Sequence, residues 1–433
     1  MPSAEKSALG IAKQVGKGVP NTNDADFTYL LFINGGVAPN NVVIPLDPEV
    51  GGGALSRDVK KVGVTSGGAM EFIPRPASLG KLLLGAFGTV ENDLVYKGAL
   101  VAGDVLASGG YIFDPAVPSA VTIVADKAAT GNVVFEGTDA SDAAASDTIA
   151  LNGTTPVTGV TVFKTITKIT LPAVSGATIT IKANPTGAHT HVFQLGPDQF
   201  AAPYFTLRSS PADMWGEQYQ DCRVSALALA FKGADFVRGS VGFAGGLPTP
   251  VSKDTWNVAP KVDGGPQLIA PVSDIELPVS TNLKVLSGAI TAGMAIPLDE
   301  QWIVGSYSPD DFDILSRSFA LTYNVKITDA ALYSKIMYDP AGGSAWATDM
   351  FREAAIKLDL VSDSKIGETN VPYRVQFRGN GLNGSKANVV WSAAPIAMRA
   401  GKQIVMTITG VFLADPMAGE PITAILTNDV ASY

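Results

Sequence analysis

The sequence predicts a mainly β protein: two tandem β-sandwich or barrel modules, each with one short α-helix, plus an inserted β-sandwich. Three observations predict it. Runs rich in Val, Ile and Thr, many with two-residue alternation, recur along most of the 433 residues. Helical patterning is confined to a few short segments. Landmarks from the first part of the chain return in the second at one nearly constant spacing. The 46% hydrophobic and 16% charged content supplies packed cores, and the 45 glycines and 28 prolines are scattered as in loop-rich β proteins.

In chain order, "AMEFIP" reads as strand and "PASLGKLLLGAFG" (76–88) as a short helix with Leu79, Leu83 and Leu84 on one face. "CRVSALALAFKGAD" and "KQIVMTITGVFLAD" read as long, mostly buried strands. "SFALTYNVKI" places Phe319, Leu321, Tyr323 and Val325 on one face and Ser318, Thr322, Asn324 and Lys326 on the other. "TDAALYSKIMYD" (328–339) reads as helix, and "AWATDMFREAAIKL" (345–358) as a third helical stretch.

"IPLD" stands at 44–47 and at 296–299, 252 residues on, and Leu79 of the first helix matches Leu332 of the second, 253 residues on. Ala-Asp pairs at 234–235 and 414–415, after long strands, are only 180 apart. The first module is therefore longer by 72 residues (252 less 180). "PY" pairs at 203–204 and 372–373 give an intermediate landmark, and the longer loop "FRGNGLNGSKANVV" of the second copy allows a larger insert. The extra text lies at 118–188, where there is no Trp, Tyr, Met, Cys or Arg and short Val/Thr/Ile strands alternate with turns, as in a small β-sandwich. The division is 1–117, first part of module one; 118–188, insert; 189–250, second part; 251–290, linker or arm; 291–433, module two.

The net charge of −9 (31 Lys+Arg, 40 Asp+Glu) argues against a protein that grips nucleic acid. The single Cys222 rules out an internal disulfide and a cysteine-rich zinc site. The N-terminal stretch holds no apolar secretory core, and no run reaches membrane-span length, so a soluble product made in a reducing cytoplasm is expected.

Chemistry is sparse. His189 and His191, the only histidines, share one strand face by their two-residue spacing, but a metal would need further ligands; they read as structural strand residues. No G-x-S-x-G elbow or phosphate loop is present; "AGGSAWA" around Ser344 and "VGGGALS" (50–56) read as a turn and a loop. Asp310, Asp311 and Asp313, and Asp139, Asp142 and Asp147, lack calcium-loop spacing and read as turn caps or solvated acids. The sequence assigns no catalytic, cofactor-binding or metal-ligating residue and no cofactor, and it points away from an enzyme.

"RPASLGKLLLGAFG", "HTHVFQLG" and "YQDCRVSALALAFKGADFVRGSVGFAGG" resemble the tail tube (major tail) proteins of long-tailed bacteriophages, in the subgroup with two tube modules per chain. "GTDASDAAASDTIALNGTTPVTGVTVFKTITKITLP" resembles the immunoglobulin-like domains of phage virion proteins. The resemblance implies a structural virion protein, made in the host bacterial cytoplasm, that self-assembles as a trimer with pseudo-sixfold symmetry. Its rings would stack into a hollow tube through which DNA passes without specific binding. Tail-tip or baseplate, terminator and tape-measure proteins would be its partners, without membrane insertion. The helices would lie outside the barrel, the insert would project outward, an acidic lining would suit DNA passage, and the duplicated form leans to non-contractile tails. The alternatives are another virion part (baseplate, terminator or decoration) or a host-glycan-binding module carried by the insert.

Overall fold

The computed structural model describes residues 6–48, 55–56, 58–100, 103–107, 112–172, 176–196, 198, 201–256, 262–276, 284–327, 331–338, 351–353, 357–379, 388–393, 396, 404–413 and 422–433. The chain is mainly β. Its strands form sheets of fourteen, six, four and four strands, and the α-helices are Pro76–Phe87 (α1) and Ala331–Met337 (α2).

The large sheet has an antiparallel spine. Its order is Ala38–Pro45, Val59–Phe72, Arg238–Gly245, Gly216–Lys232, Lys284–Ala295, Ser316–Lys326, Val405–Leu413 and Asn388–Ala393. Alternation decides which face is covered. Leu227, Leu229, Ile290, Met294, Phe319, Leu321, Met406 and Ile408 all enter one hydrophobic core, while their neighbours in sequence point the other way. Burying each large side chain is worth about 1.5–3 kcal/mol, and a one-residue slip would turn the whole set to solvent.

A six-stranded sheet covers that core: Ile269–Glu276, Lys357–Lys365, Pro372–Arg378, Thr423–Asn428, His189–Gln194 and Thr89–Asn92. It draws strands from both halves of the chain. Leu358, Leu360, Val375, Phe377, Leu426 and Phe193 meet the large sheet's apolar face.

Helix α1 sits within this core. Pro76 fits its first turn, and Gly88 (φ 98°) ends it in the left-handed region where a side chain would be strained. Arg75 at the N-cap offers no side-chain cap; instead Asp263, far along the chain, accepts from the Ser78 N–H at 2.6 Å. The one-face spacing of its leucines suggests a half-buried helix, yet Ser78, Gly80, Leu82 and Gly85 are buried as well. Gly85 allows this, because a Cβ there would collide with Val224 of the large sheet. The helix is thus part of the core on the covered face of the large sheet.

Two further differences concern boundaries. The described residues of the expected third helix are strand, Phe351–Glu353 and the start of Lys357–Lys365, where Leu358 and Leu360 follow the two-residue period. The two four-stranded sheets face each other across a separate core that holds Val95, Tyr96, Phe135, Phe163, Ile169 and Ile181. Their strands run from Leu94–Ala99 to Thr178–Ala183, so this sandwich takes in strands ahead of position 118. Leu94–Ala99 pairs with Thr178–Ala183, and Val105–Ala107 with Thr165–Thr170.

Candidate assembly interface

The two halves of the large sheet repeat each other residue by residue. Asn34 lies opposite Glu71 and Gly35 opposite Met70 in the strand pair that begins at Phe32. Ser287 lies opposite Asn324 and Gly288 opposite Tyr323, each residue 253 further on. Both ladders carry a register shift at the same place, Phe32/Asn34 and Val285/Ser287. The match continues: Ala38↔Gly67 and Asn40↔Thr65 correspond to Thr291↔Ala320 and Gly293↔Ser318.

The next strands repeat at a second spacing. Val241 faces Met70 as Ile408 faces Tyr323, so Arg238–Gly245 corresponds to Val405–Leu413 at a separation of 167 residues (241 to 408). The Ala-Asp landmarks therefore do not mark equivalent positions: Ala234 and Asp235 follow the strand before the equivalent one. The excess of the first half is 86 residues (253 less 167) rather than 72, and the sandwich from Leu94 to Ala183 accounts for it.

Among the described residues, one face of this spine is bare. Ala226, Ala228, Ala230, Ala289, Thr291, Ser318, Ala320, Thr322, Thr407 and Thr409 form it, all small and uncharged and none fully buried. Charge gathers at one end, at Lys232, Arg238, Lys284 and Lys326, with Glu71 and Asp235 among them. The spine also has an exposed outer strand residue at each end, Asn40 and Ser392. The outer strand Ala38–Pro45 exposes nearly every residue. At the other end, Phe351–Glu353 pairs with Asn388–Ala393 from Val389 to Trp391 among the described residues, and Ser392 beyond it is exposed. Unpaired strand edges are templates for further pairing.

The histidines lie on the strand His189–Gln194 of the other layer, each with its own partners. His191 is fully buried; its Nε2 lies 3.0 Å from Asn428 Oδ1 and its Nδ1 2.8 Å from Asn92 Oδ1. Asn428 is held in that orientation, since its Oδ1 also accepts from the Val430 N–H and its Nδ2 donates to the Pro76 carbonyl. Burial pushes His191 below its ordinary pKa, so the neutral ring donates through Nε2 and ties the strand Thr423–Asn428 to the first half. His189 Nδ1 sits 2.9 Å from Asp93 Oδ2.

Asp93 is the hinge pin of the inserted sandwich. At φ 53° it turns the chain out, its carboxylate accepts from the Thr190 N–H, and its carbonyl accepts from the Ala183 N–H as the chain returns. Lys97 and Lys182 of the sandwich both reach Glu91 of the other layer, at 2.6 and 3.0 Å. Burial alone would raise Glu91, but these two ammonium groups outweigh it and hold the carboxyl below its usual range. Leu94, Phe113, Val192 and Ile425 pack around the same junction.

The acidic clusters are structural too. Asp311 accepts from Tyr204 at 2.7 Å and pairs with Lys17 at 2.9 Å, and Arg223 lies 3.5 Å from Asp313. Asp139 caps a turn through the Ser141 and Ala143 N–H groups, Asp142 pairs with Lys164, and Asp147 accepts from Val160 and Thr161. Ser344 and residues 50–54 of the glycine-rich loop lie outside the described residues. Cys222 is buried, which pushes its thiol pKa up. Among the described residues no group of three His, Cys, Asp or Glu could hold a metal ion, and no helix is long and apolar enough to cross a membrane.

No curated protein matches the chain. A family model described as phage tail tube protein matches residues 5–364, which takes in the first half of the repeated sheet, the inserted sandwich and the second half as far as the strand Lys357–Lys365. On that match, over most of its length, the chain belongs to the phage tail tube protein family.

Proposed function

We propose that this chain is the repeating subunit of a phage tail tube, a non-catalytic building block that closes into a ring of three chains with pseudo-sixfold symmetry. Rings stack into a hollow tube, and DNA passes through it. The observation that carries this reading is the tandem spine, with a bare face, a covered face and exposed residues (Asn40 and Ser392) on the outer strands at both ends. Two equivalent blocks per chain give six around a ring of three. The covered face bears the second layer and the inserted sandwich, bulk that a lumen could not hold, so the bare face is the inner wall.

That wall departs from the expected acidic lining. Its middle carries Ala, Ser and Thr with Val411 and no charge, so along that stretch DNA would meet neither attraction nor strong repulsion, with the cations confined to one end. We read the sandwich Leu94–Ala183 as an immunoglobulin-like projection on the outside of the tube of a non-contractile tail. Electron microscopy of the purified protein over a concentration series tests the reading. Hollow rings or tubes are expected. Protein that stays monomeric even with tail-tip proteins added would overturn it.

A further inference from the structure

We propose that the joint between neighbouring chains repeats the joint inside each chain, in the same register, with Ser392 of one copy opposite Asn40 of the next and Ala393 opposite Pro39. The inference rests on the ring reading above but goes further, because it names the two edges and their alignment from the internal repeat alone.

Inside the chain, the two halves of the spine meet where Gly216–Lys232 pairs with Lys284–Ala295, starting at Ala226↔Gly293 and Leu227↔Ala292. Each of these residues has an equivalent. Gly293 and Ala292 correspond to Asn40 and Pro39 at the spacing of 253. Ala226 faces Gly242 and Leu227 faces Val241, as Ser392 faces Thr409 and Ala393 faces Ile408. Since Gly242 and Val241 correspond to Thr409 and Ile408 at 167, Ala226 and Leu227 correspond to Ser392 and Ala393 at 166. Ahead of the bulge between Val224 and Ala226 the spacing is 167 (Val224 faces Phe243 as Trp391 faces Gly410); the bulge reduces it to 166, and the connection to the next strand, one residue shorter in the first half, restores 167.

A separate observation agrees. Along its edge toward the internal joint, Gly216–Lys232 first pairs with Phe205–Ser210, as far as Cys222, and only from Ala226 with the second half. Among the described residues, Asn388–Ala393 likewise pairs first with Phe351–Glu353, as far as Trp391. The described pairing thus ends one residue before Ser392, the equivalent of the start of the internal joint. Ser392 and Asn40 are both exposed and project from the bare face, so the pairing keeps the small-residue wall continuous from chain to chain. Inner-wall continuity also fixes the parity, since a shift by one residue would bring Pro39 or Asn41 to the lumen position.

The test is cross-linking with a short bismaleimide. The double variant Ala228→Cys/Thr291→Cys brackets the internal joint with a directly opposed pair and calibrates the reaction within one chain. Cys222, 1% exposed, stays out of reach. In assembled protein, Ser392→Cys/Asn40→Cys should link neighbouring chains into covalent trimers about as readily as the internal pair reacts. Ser392→Cys/Val42→Cys, displaced by two residues on the same face, should react roughly tenfold more slowly, since diagonal neighbours are further apart than opposed ones. Rings that link through Val42 but not Asn40, or through neither while the internal pair reacts, would overturn the register and leave the ring reading standing. Absence of any assembled form would overturn both.

Discussion

Asn34 and Glu71 in the first half of the spine stand opposite each other as Ser287 and Asn324 do in the second, each 253 residues on and each beside the same bulge. Around that constant frame the halves diverge. The first carries the sandwich Leu94–Ala183 and prolongs its hairpin through Val43–Pro45 and Val59–Lys61, with Val43, Ile44 and Val59 exposed. In the second, the corresponding pairing stops at Ala295↔Ser316 and the chain enters a short 3-10 turn at Leu298–Gln301. Length is free to change outside the spine. Within it, a one-residue change would exchange core and wall unless a bulge absorbs it, as between Val224 and Ala226.

The comparison can be broken or sharpened by variants, the largest effect first. Phe135→Ala empties the centre of the inserted sandwich and should cost that unit about 3–5 kcal/mol. A separate early transition in calorimetry, with assembly kept, would show that the insert and the spine are independent. Leu229→Ala and Ile408→Ala, in equivalent blocks under one core, should each lower stability by about 2–5 kcal/mol in denaturant titration. Two separate transitions would mean that the halves fold apart, contrary to their shared core.

The next effect is acidic. His191 has a folded-state pKa below its ordinary 6.5, because burial resists the proton. As the pH falls below 6.5 the unfolded chain takes up a proton that the folded chain refuses, so stability drops with falling pH until the folded pKa is reached. The slope is at most about 1.4 kcal/mol per pH unit, and His191→Gln should flatten it in melts between pH 7 and 5 (roughly the window set by the histidine value). Smallest for the monomer is Ser392→Lys, an exposed edge change within about 0.5 kcal/mol of neutral. Assembly, measured by sedimentation, should nevertheless be lost, since a lysine on a strand edge blocks pairing with a neighbour.

Much of this was legible in the sequence because strand faces print their alternation directly. "SFALTYNVKI" gave its inward residues correctly, and "IPLD" with Leu79 and Leu332 lay within a residue of the true spacing. The Ala-Asp pairs misled because a short dipeptide after any strand matches by chance, whereas equivalence is set by which strand pairs with which. The front of the sandwich was hidden because the aromatic-poor text begins only after Tyr96 and Tyr111, although Tyr96 belongs to the sandwich core. The depth of α1 was hidden in its glycines, whose packing against a sheet leaves no apolar signature. The polar joints at Asp93, Glu91 and Asn428 connect residues far apart in sequence, and no local pattern announces them.

The equivalence of the halves is tested most directly by the rotational symmetry of end-on averages of assembled protein in electron microscopy. The account predicts sixfold symmetry in the inner wall, where both blocks contribute alike, and threefold symmetry at the periphery, where only the first block bears a sandwich. A wall that is no more than threefold, or an assembly with no closed ring, would contradict it.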